Sequence, residues 1–245
     1  MKSKNFDIDK TLSEMGSKSV DFRSNPGVSF FGITSLLGII YRSLLTRDKQ
    51  IILECGVNKG LSTSIFSYYA EKSDSYCFSI DINDCKDVVV SDRWTFIQND
   101  DLNVLEIVND YPELREKGID ILFIDSLHTA AHVKKVLYGW YPYLNMNSLI
   151  FIDDIDARNY RKRKEKDNYF NELNWDEINK FTRDFSENNS SDTILTQYFG
   201  KTGLAKIVKI SEKGSLPNLI VNRNRSLLLR LITLISRKLK NLYDN

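Results

Sequence analysis

The sequence predicts an α/β fold around a mostly parallel sheet, and three observations predict it. Short apolar runs alternate with stretches of helical periodicity through the first two thirds of the chain, the pattern of strand–helix–strand crossovers. Four chemically distinctive segments each close an apolar run: Glu54 to Gly60, Ser79 to Asp81, Phe123 to His128 and Phe151 to Asp154. The first of them is a glycine turn that opens a helix. In an open α/β sheet, ligands bind in the crevice outside the C-terminal ends of the strands. One glycine turn, three acidic strand ends and one histidine should therefore meet in one place.

The elements follow in order. Residues 1–28 are polar, with Pro26-Gly27 marking a turn, and could act as a lid. Phe30, Ile33, Leu36, Leu37, Ile40 and Leu44 recur at helical spacing, so 29–46 reads as a helix. Lys49 to Glu54 is the first strand and Leu61 to Glu71 a helix whose N-terminus faces the glycine turn. Tyr76 to Asp81 and Trp94 to Gln98 are the second and third strands, and Leu102 to Asn109 a short helix. Ile119 to Asp125 is the fourth strand, followed by a helix from about His128 to Trp140. Ser148 to Asp153 is the fifth strand. A polar loop, Arg158 to Asn168, carries Arg161-Lys162-Arg163-Lys164, and a helix follows near Trp175 to Asn188. Thr193 to Phe199 and Leu204 to Ile210 close as an antiparallel hairpin around Gly200-Lys201-Thr202-Gly203. The result is a seven-stranded sheet with helices on both faces, occupying 29–222. The tail, 223–245, reads as a separate helix. From Ser226 to Leu242, Leu227, Leu231, Ile235 and Leu239 share an apolar face, while Arg230, Arg237 and Lys240 lie opposite. Such a helix suits an anionic membrane surface, a second subunit or docking on its own domain.

At 245 residues the chain is long enough for one α/β domain with a sizeable core. Its 42% hydrophobic and 27% charged residues are ordinary for a globular protein. A formal charge of +1 gives no field that would mark nucleic acid as the partner. Cys55, Cys77 and Cys85 form no C-x-x-C pair, which fits a reducing, cytoplasmic setting. The N-terminus has no apolar core of a signal peptide.

Gly56 and Gly60 allow the backbone to approach a ligand closely. The turn lacks the full G-x-G-x-x-G pattern, and Glu54 places a carboxylate where a pyrophosphate would be repelled and a cationic sulfonium favoured. Asp81 can accept both hydroxyls of a ribose, or cap the loop after it. Asp100 can accept an adenine amino group, while Asp101 is a natural N-cap for the next helix. Asp125, Asp153 and Asp154 bring three carboxylates to adjacent strand ends. Unpaired they would repel one another, and a hard cation such as magnesium is the simplest account of their coexistence. His128 can accept a proton near neutral pH. His132, one turn further along, reads as a packing or surface residue.

These residues resemble a family. The segment I-L-E-C-G-V-N-K-G-L-S is similar to the catechol-type loop E-x-G-x-x-x-G-x-S of class I, metal-dependent O-methyltransferases. The D-x-x-H spacing of Asp125 and His128, the run H-V-K-K-V-L-Y-G-W-Y-P-Y-L and the strand G-L-A-K-I-V-K resemble the macrolide-sugar and cephalosporin-cluster branch. The resemblance spans about residues 30–210 and implies a Rossmann-like methyltransferase fold. It implies that Gly56, Asn58 and Ser62 line the methionine part of S-adenosylmethionine, with Glu54, Gly60, Asp81, Asp100 and Asp125 completing the cofactor site. It further implies that Asp125, Asp153 and Asp154 hold Mg2+ or another divalent cation, and that His128 is the base in methyl transfer to a sugar or glycan hydroxyl. The chain departs from the family in having Ser126-Leu127 where an acidic residue is usual, and Asn145-Met146-Asn147-Ser148 in place of Pro-Gly-Gly. A phenolic acceptor, a nicotinamide-dependent oxidoreductase and a non-catalytic binding module are the competing readings. Through the tail, the enzyme could work at the inner face of a membrane or as a homo-oligomer.

Overall fold

The computed structural model describes residues 30–220, apart from 162 and 165, together with Ile235. The expected N-terminal lid and amphipathic tail helix lie outside the described residues.

Seven strands form one sheet in the order β3-β2-β1-β4-β5-β7-β6. Strands β1 (Ile51–Cys55), β2 (Tyr76–Asp81), β3 (Trp94–Gln98), β4 (Ile119–Ile124) and β5 (Leu144–Asp153) pair in parallel. Strands β6 (Thr193–Tyr198) and β7 (Leu204–Lys209) form the antiparallel hairpin, and β7 inserts beside β5. The order reverses between β1 and β4. That is where a crevice opens in this architecture.

Alternate residues of the central strands serve opposite layers, because strand side chains have a period of two. Leu53, Leu122 and Ile124 join one core with Trp140 of α5 (Ala130–Trp140) and Ile178 and Phe185 of α6 (Tyr169–Asn188). Ile52, Ile121 and Phe123 join the other, with Leu37 and Ile40 of α1 (Phe30–Leu44) and Ile65 and Phe66 of α2 (Leu61–Ser73). Both faces are covered, so the central strands read as unbroken apolar runs. Two short helices, α3 (Val104–Asp110) and α4 (Glu113–Glu116), connect β3 to β4.

The differences from expectation have local causes. Helix α5 starts at Ala130 rather than His128, because Thr129 is its N-cap and its hydroxyl accepts the N–H of His132 at 3.3 Å. His128 consequently stays in the loop above β4. Strand β5 begins four residues early, at Leu144, where Asn145 ties back to Asp120 and to the Lys117 carbonyl. Helix α6 begins at Tyr169, capped by Asn168, whose side chain accepts the N–H groups of Phe170 and Asn171. Asp101 is not a helix cap: α3 starts at Val104 after Asn103. Among the described residues, no helix is long and apolar enough to cross a membrane.

Candidate active site

The first turn is shaped by two glycines. Gly56 has φ +98°, and a Cβ there would stand 2.3 Å from the carbonyl oxygen of Asp125, so the β1 turn lies directly against the β4 loop. Gly60 has φ +77°, leads into α2, and would clash with Val88 if substituted. The ladder continues into the turn, with the Gly56 N–H bonded to the Ile80 carbonyl and the Asp125 N–H to the Cys55 carbonyl.

Glu54 does not face the crevice. It has no exposed surface, and its carboxylate accepts the hydroxyls of Ser62 at 2.5 Å, Thr63 at 2.7 Å and Ser79 at 2.6 Å. Burial, only partly offset by those three bonds, raises its pKa to about 7. The expectation of direct ligand contact by Glu54 is corrected: the side chain supports the turn from below. Ser62, also nearly buried, spends its hydroxyl on the same carboxylate.

Asp81 is half-exposed at the end of β2. One oxygen accepts the N–H groups of Val57 and Asn58 at 2.9 and 3.1 Å, and the other accepts the backbone and side chain of Asn83. Burial opposes ionisation, but the bonds from Asn83, Val57 and Asn58 outweigh it and bring the pKa below the usual carboxylate value. Gly56, Asn58, Asp81, Asp100, Asp125 and His128 all line one crevice of about 460 Å3. Asp100 is exposed and takes the N–H of Leu102 in a local turn. Asp101, by contrast, points inward onto His132 and Ser126.

At the next strand ends, Asp154 adopts φ +60°, a left-handed conformation that is costly for a residue with a Cβ. Its carboxylate meets His128 Nδ1 at 2.7 Å, and Asp125 lies 3.9 Å from the same nitrogen. The bond to Asp154 raises the pKa of His128 against the opposing effect of burial. Asp153 accepts the Asp154 N–H and the Thr202 hydroxyl, at 2.8 and 2.9 Å. Burial first, then the neighbouring aspartates, raises the pKa values of Asp125 and Asp153. A second cavity, of about 200 Å3, runs from Asn58, Ser62, Asp125, Asp153 and Thr202 to a wall of Leu36, Leu37, Ile40, Phe123 and Leu204. The two cavities share Asn58 and Asp125.

The structure thus brings Asp125, His128, Asp153 and Asp154 together, and leaves Glu54 beneath them. A larger cavity, of about 800 Å3, lies at the opposite end of the strands near Lys49, Tyr76 and Asp120, and collects none of these residues. Sequence reasoning missed Thr202, which reaches Asp153 only because β7 inserts beside β5. It also missed Asp156, which accepts the N–H of Gly200 and pairs with Arg158, fixing the hairpin turn over the site.

The all-oxygen donor set of Asp125, Asp153 and Asp154 fits a hard divalent cation in chemistry, since a cation would offset the burial and mutual repulsion that raise the pKa values of Asp125 and Asp153. Among the described residues, no three of His, Cys, Asp or Glu stand in ready metal-binding geometry. His128 instead occupies an oxygen of Asp154.

Residues 53–155, from β1 to just past β5, match the family described as a methyltransferase domain. A search of curated proteins finds no significant match. Among solved structures, MycE methyltransferase of the mycinamycin biosynthetic pathway, in complex with Mg and SAH, is similar at TM-score 0.57 and 18% identity. The comparison covers 87% of this chain and 58% of MycE, so the chain spans little more than half of that protein. SAH-bound Podospora anserina methyltransferase PaMTH1 is similar at TM-score 0.59 and 15% identity, over 82% of this chain and 87% of that one. A candidate caffeoyl-CoA O-methyltransferase from Staphylococcus aureus is similar at TM-score 0.56 and 18% identity, over 71% and 83%. Residues 53–155 thus match a methyltransferase-domain family, and the chain has the fold of these methyltransferases.

Proposed function

We propose that this protein transfers a methyl group from S-adenosylmethionine to a hydroxyl of a sugar or glycan, aided by a divalent cation and a histidine base. The observation that carries the reading is that Asp81, Asp125 and His128 line one crevice at the β1/β4 reversal, with Asp154 bonded to His128 and Asp153 lining the adjoining cavity that shares Asp125. Neighbours of the same fold were solved with Mg and SAH, and one with Mycinamycin VI as well.

In this reading the ribose hydroxyls replace the Asn83 bonds on Asp81, while Val57 and Asn58 keep the carboxylate in place. Gly56 and Asn58 border the passage from the nucleoside crevice toward the second cavity. Asp100 is the exposed acceptor within reach of the adenine amino group. Asp125, Asp153 and Asp154 would hold the cation, which supplies a lowered pKa and a fixed orientation for a coordinated hydroxyl. His128 accepts the acceptor's proton at Nδ1, once Asp154 releases that nitrogen. Thr202 steadies Asp153. The three free, buried cysteines fit a reducing, cytoplasmic setting.

One observation favours a second acceptor class. The wall of Leu36, Leu37, Ile40 and Phe123 beside Asp125 and Asp153 suits an aromatic ring, so a phenolic acceptor stands next to the sugar. A panel of glycosides and catechols, incubated with methyl-labelled cofactor, separates them. Label on a glycoside supports the first reading, and label confined to catechols replaces it with the second.

A further inference from the structure

His132 reads from sequence as a packing or surface residue. In the folded chain it is the centre of a polar cluster. Its Nε2 stands 3.0 Å from Asp101 Oδ1 and 3.0 Å from Ser126 Oγ, and the Ser126 hydroxyl donates to Asp101 Oδ2 at 2.6 Å. Asp101 is nearly buried, and its backbone carbonyl accepts the indole N–H of Trp140 at 3.0 Å. Both ends of α5 therefore bind the same aspartate, His132 near the first turn and Trp140 at the last residue. Ser126 is the residue after Asp125 and two before His128. On its other side the loop lies against Gly56, where even a Cβ would come within 2.9 Å of the Ser126 Cα. The loop is thus wedged between the glycine turn and the Asp101–His132 pair.

We propose that Asp101 and His132 are positioning residues that hold Ser126, and through it the Asp125–His128 loop, in the arrangement that methyl transfer requires. The proposal rests on the function proposed above for its kinetic arm and is independent of it for its spectroscopic arm. Small displacements at a reacting centre cost rate far more than affinity. Outer residues that orient such groups are typically worth about 10–100-fold.

The test uses the full chain with His132→Leu, His132→Gln and Ser126→Ala. Glutamine restores a donor at the reach of Nε2, and leucine does not. His132→Leu and Ser126→Ala should each lower kcat by about 10–100-fold, with S-adenosylhomocysteine affinity within about threefold of wild type. The double variant should be no worse than either single, because the residues act on one loop. His132→Gln should recover most of the rate. The chain contains 2 histidines, so labelled imidazole carbons give a two-signal NMR spectrum. The His128 signal should move in His132→Leu and Ser126→Ala, and hold its wild-type position in His132→Gln. An unmoved His128 signal in the first two overturns the proposal, whether or not the protein transfers methyl groups. A loss of cofactor affinity with unchanged kcat also overturns it, and makes His132 a direct cofactor contact. A moved signal in an inactive wild type would support the positioning role and defeat the proposed function.

Discussion

The carboxylate of Asp81 accepts the backbone N–H of Val57 at 2.9 Å, so the end of β2 holds the glycine turn that follows β1. One side chain thereby shapes the turn and lines the crevice of about 460 Å3. Asp81→Ala removes both functions. Charge-assisted bonds contribute about 1.5–3 kcal/mol each, so affinity for S-adenosylhomocysteine should fall at least about tenfold in calorimetric titration. Unchanged affinity would remove Asp81 from the ribose role.

Glu54 should make stability depend on pH. Its folded pKa, about 7, lies above the ordinary 4.5 because burial disfavours the charge. The folded state therefore binds the proton more tightly than the unfolded chain. The associated stability is fully present below about pH 4.5 and is lost as pH rises through about 7, a change on the order of 3 kcal/mol. Glu54→Gln imitates the protonated acid. In urea titrations it should match wild type near pH 5 and exceed it near pH 8. A parallel pH dependence in the two proteins would show that another group is responsible.

His128→Ala should lower kcat by roughly 10²–10⁴-fold if the histidine is the general base. His132 lines the same crevice as His128, but its Nε2 is engaged by Asp101 and Ser126, whereas His128 meets Asp154 beside Asp125. A loss of less than about threefold on glycosides would point to a different base.

Chelation should abolish transfer, and magnesium should restore it. Asp153→Asn and Asp154→Asn should raise the magnesium concentration needed for half-maximal rate more than they weaken S-adenosylhomocysteine binding. Full activity in excess chelator would remove the cation from the account.

The fold was legible because local signals agreed. Buried strands such as Ile51–Cys55 and Ile119–Ile124 carry continuous apolar runs, and each acidic strand end was visible as a break in one. Thr129, the N-cap of α5, is the local signal that keeps His128 in the loop rather than in the helix. Contacts across the sheet were not legible. Thr202 meets Asp153 across 49 positions of sequence, and Asp101 meets His132 across 31. Glu54 misled for a related reason. Its sequence position at a strand end is the same whether the carboxylate turns toward the crevice or toward Ser62, Thr63 and Ser79. Only the packing of α2 on the sheet decides between them.

The central claim is that the crevice at the β1/β4 reversal is an S-adenosylmethionine site. Calorimetric titration of the full chain with S-adenosylhomocysteine, beside titration with a nicotinamide dinucleotide, tests it most directly. The account predicts one saturable S-adenosylhomocysteine site, weakened at least about tenfold in Asp81→Ala, and no dinucleotide binding. Saturable dinucleotide binding without S-adenosylhomocysteine binding would contradict it.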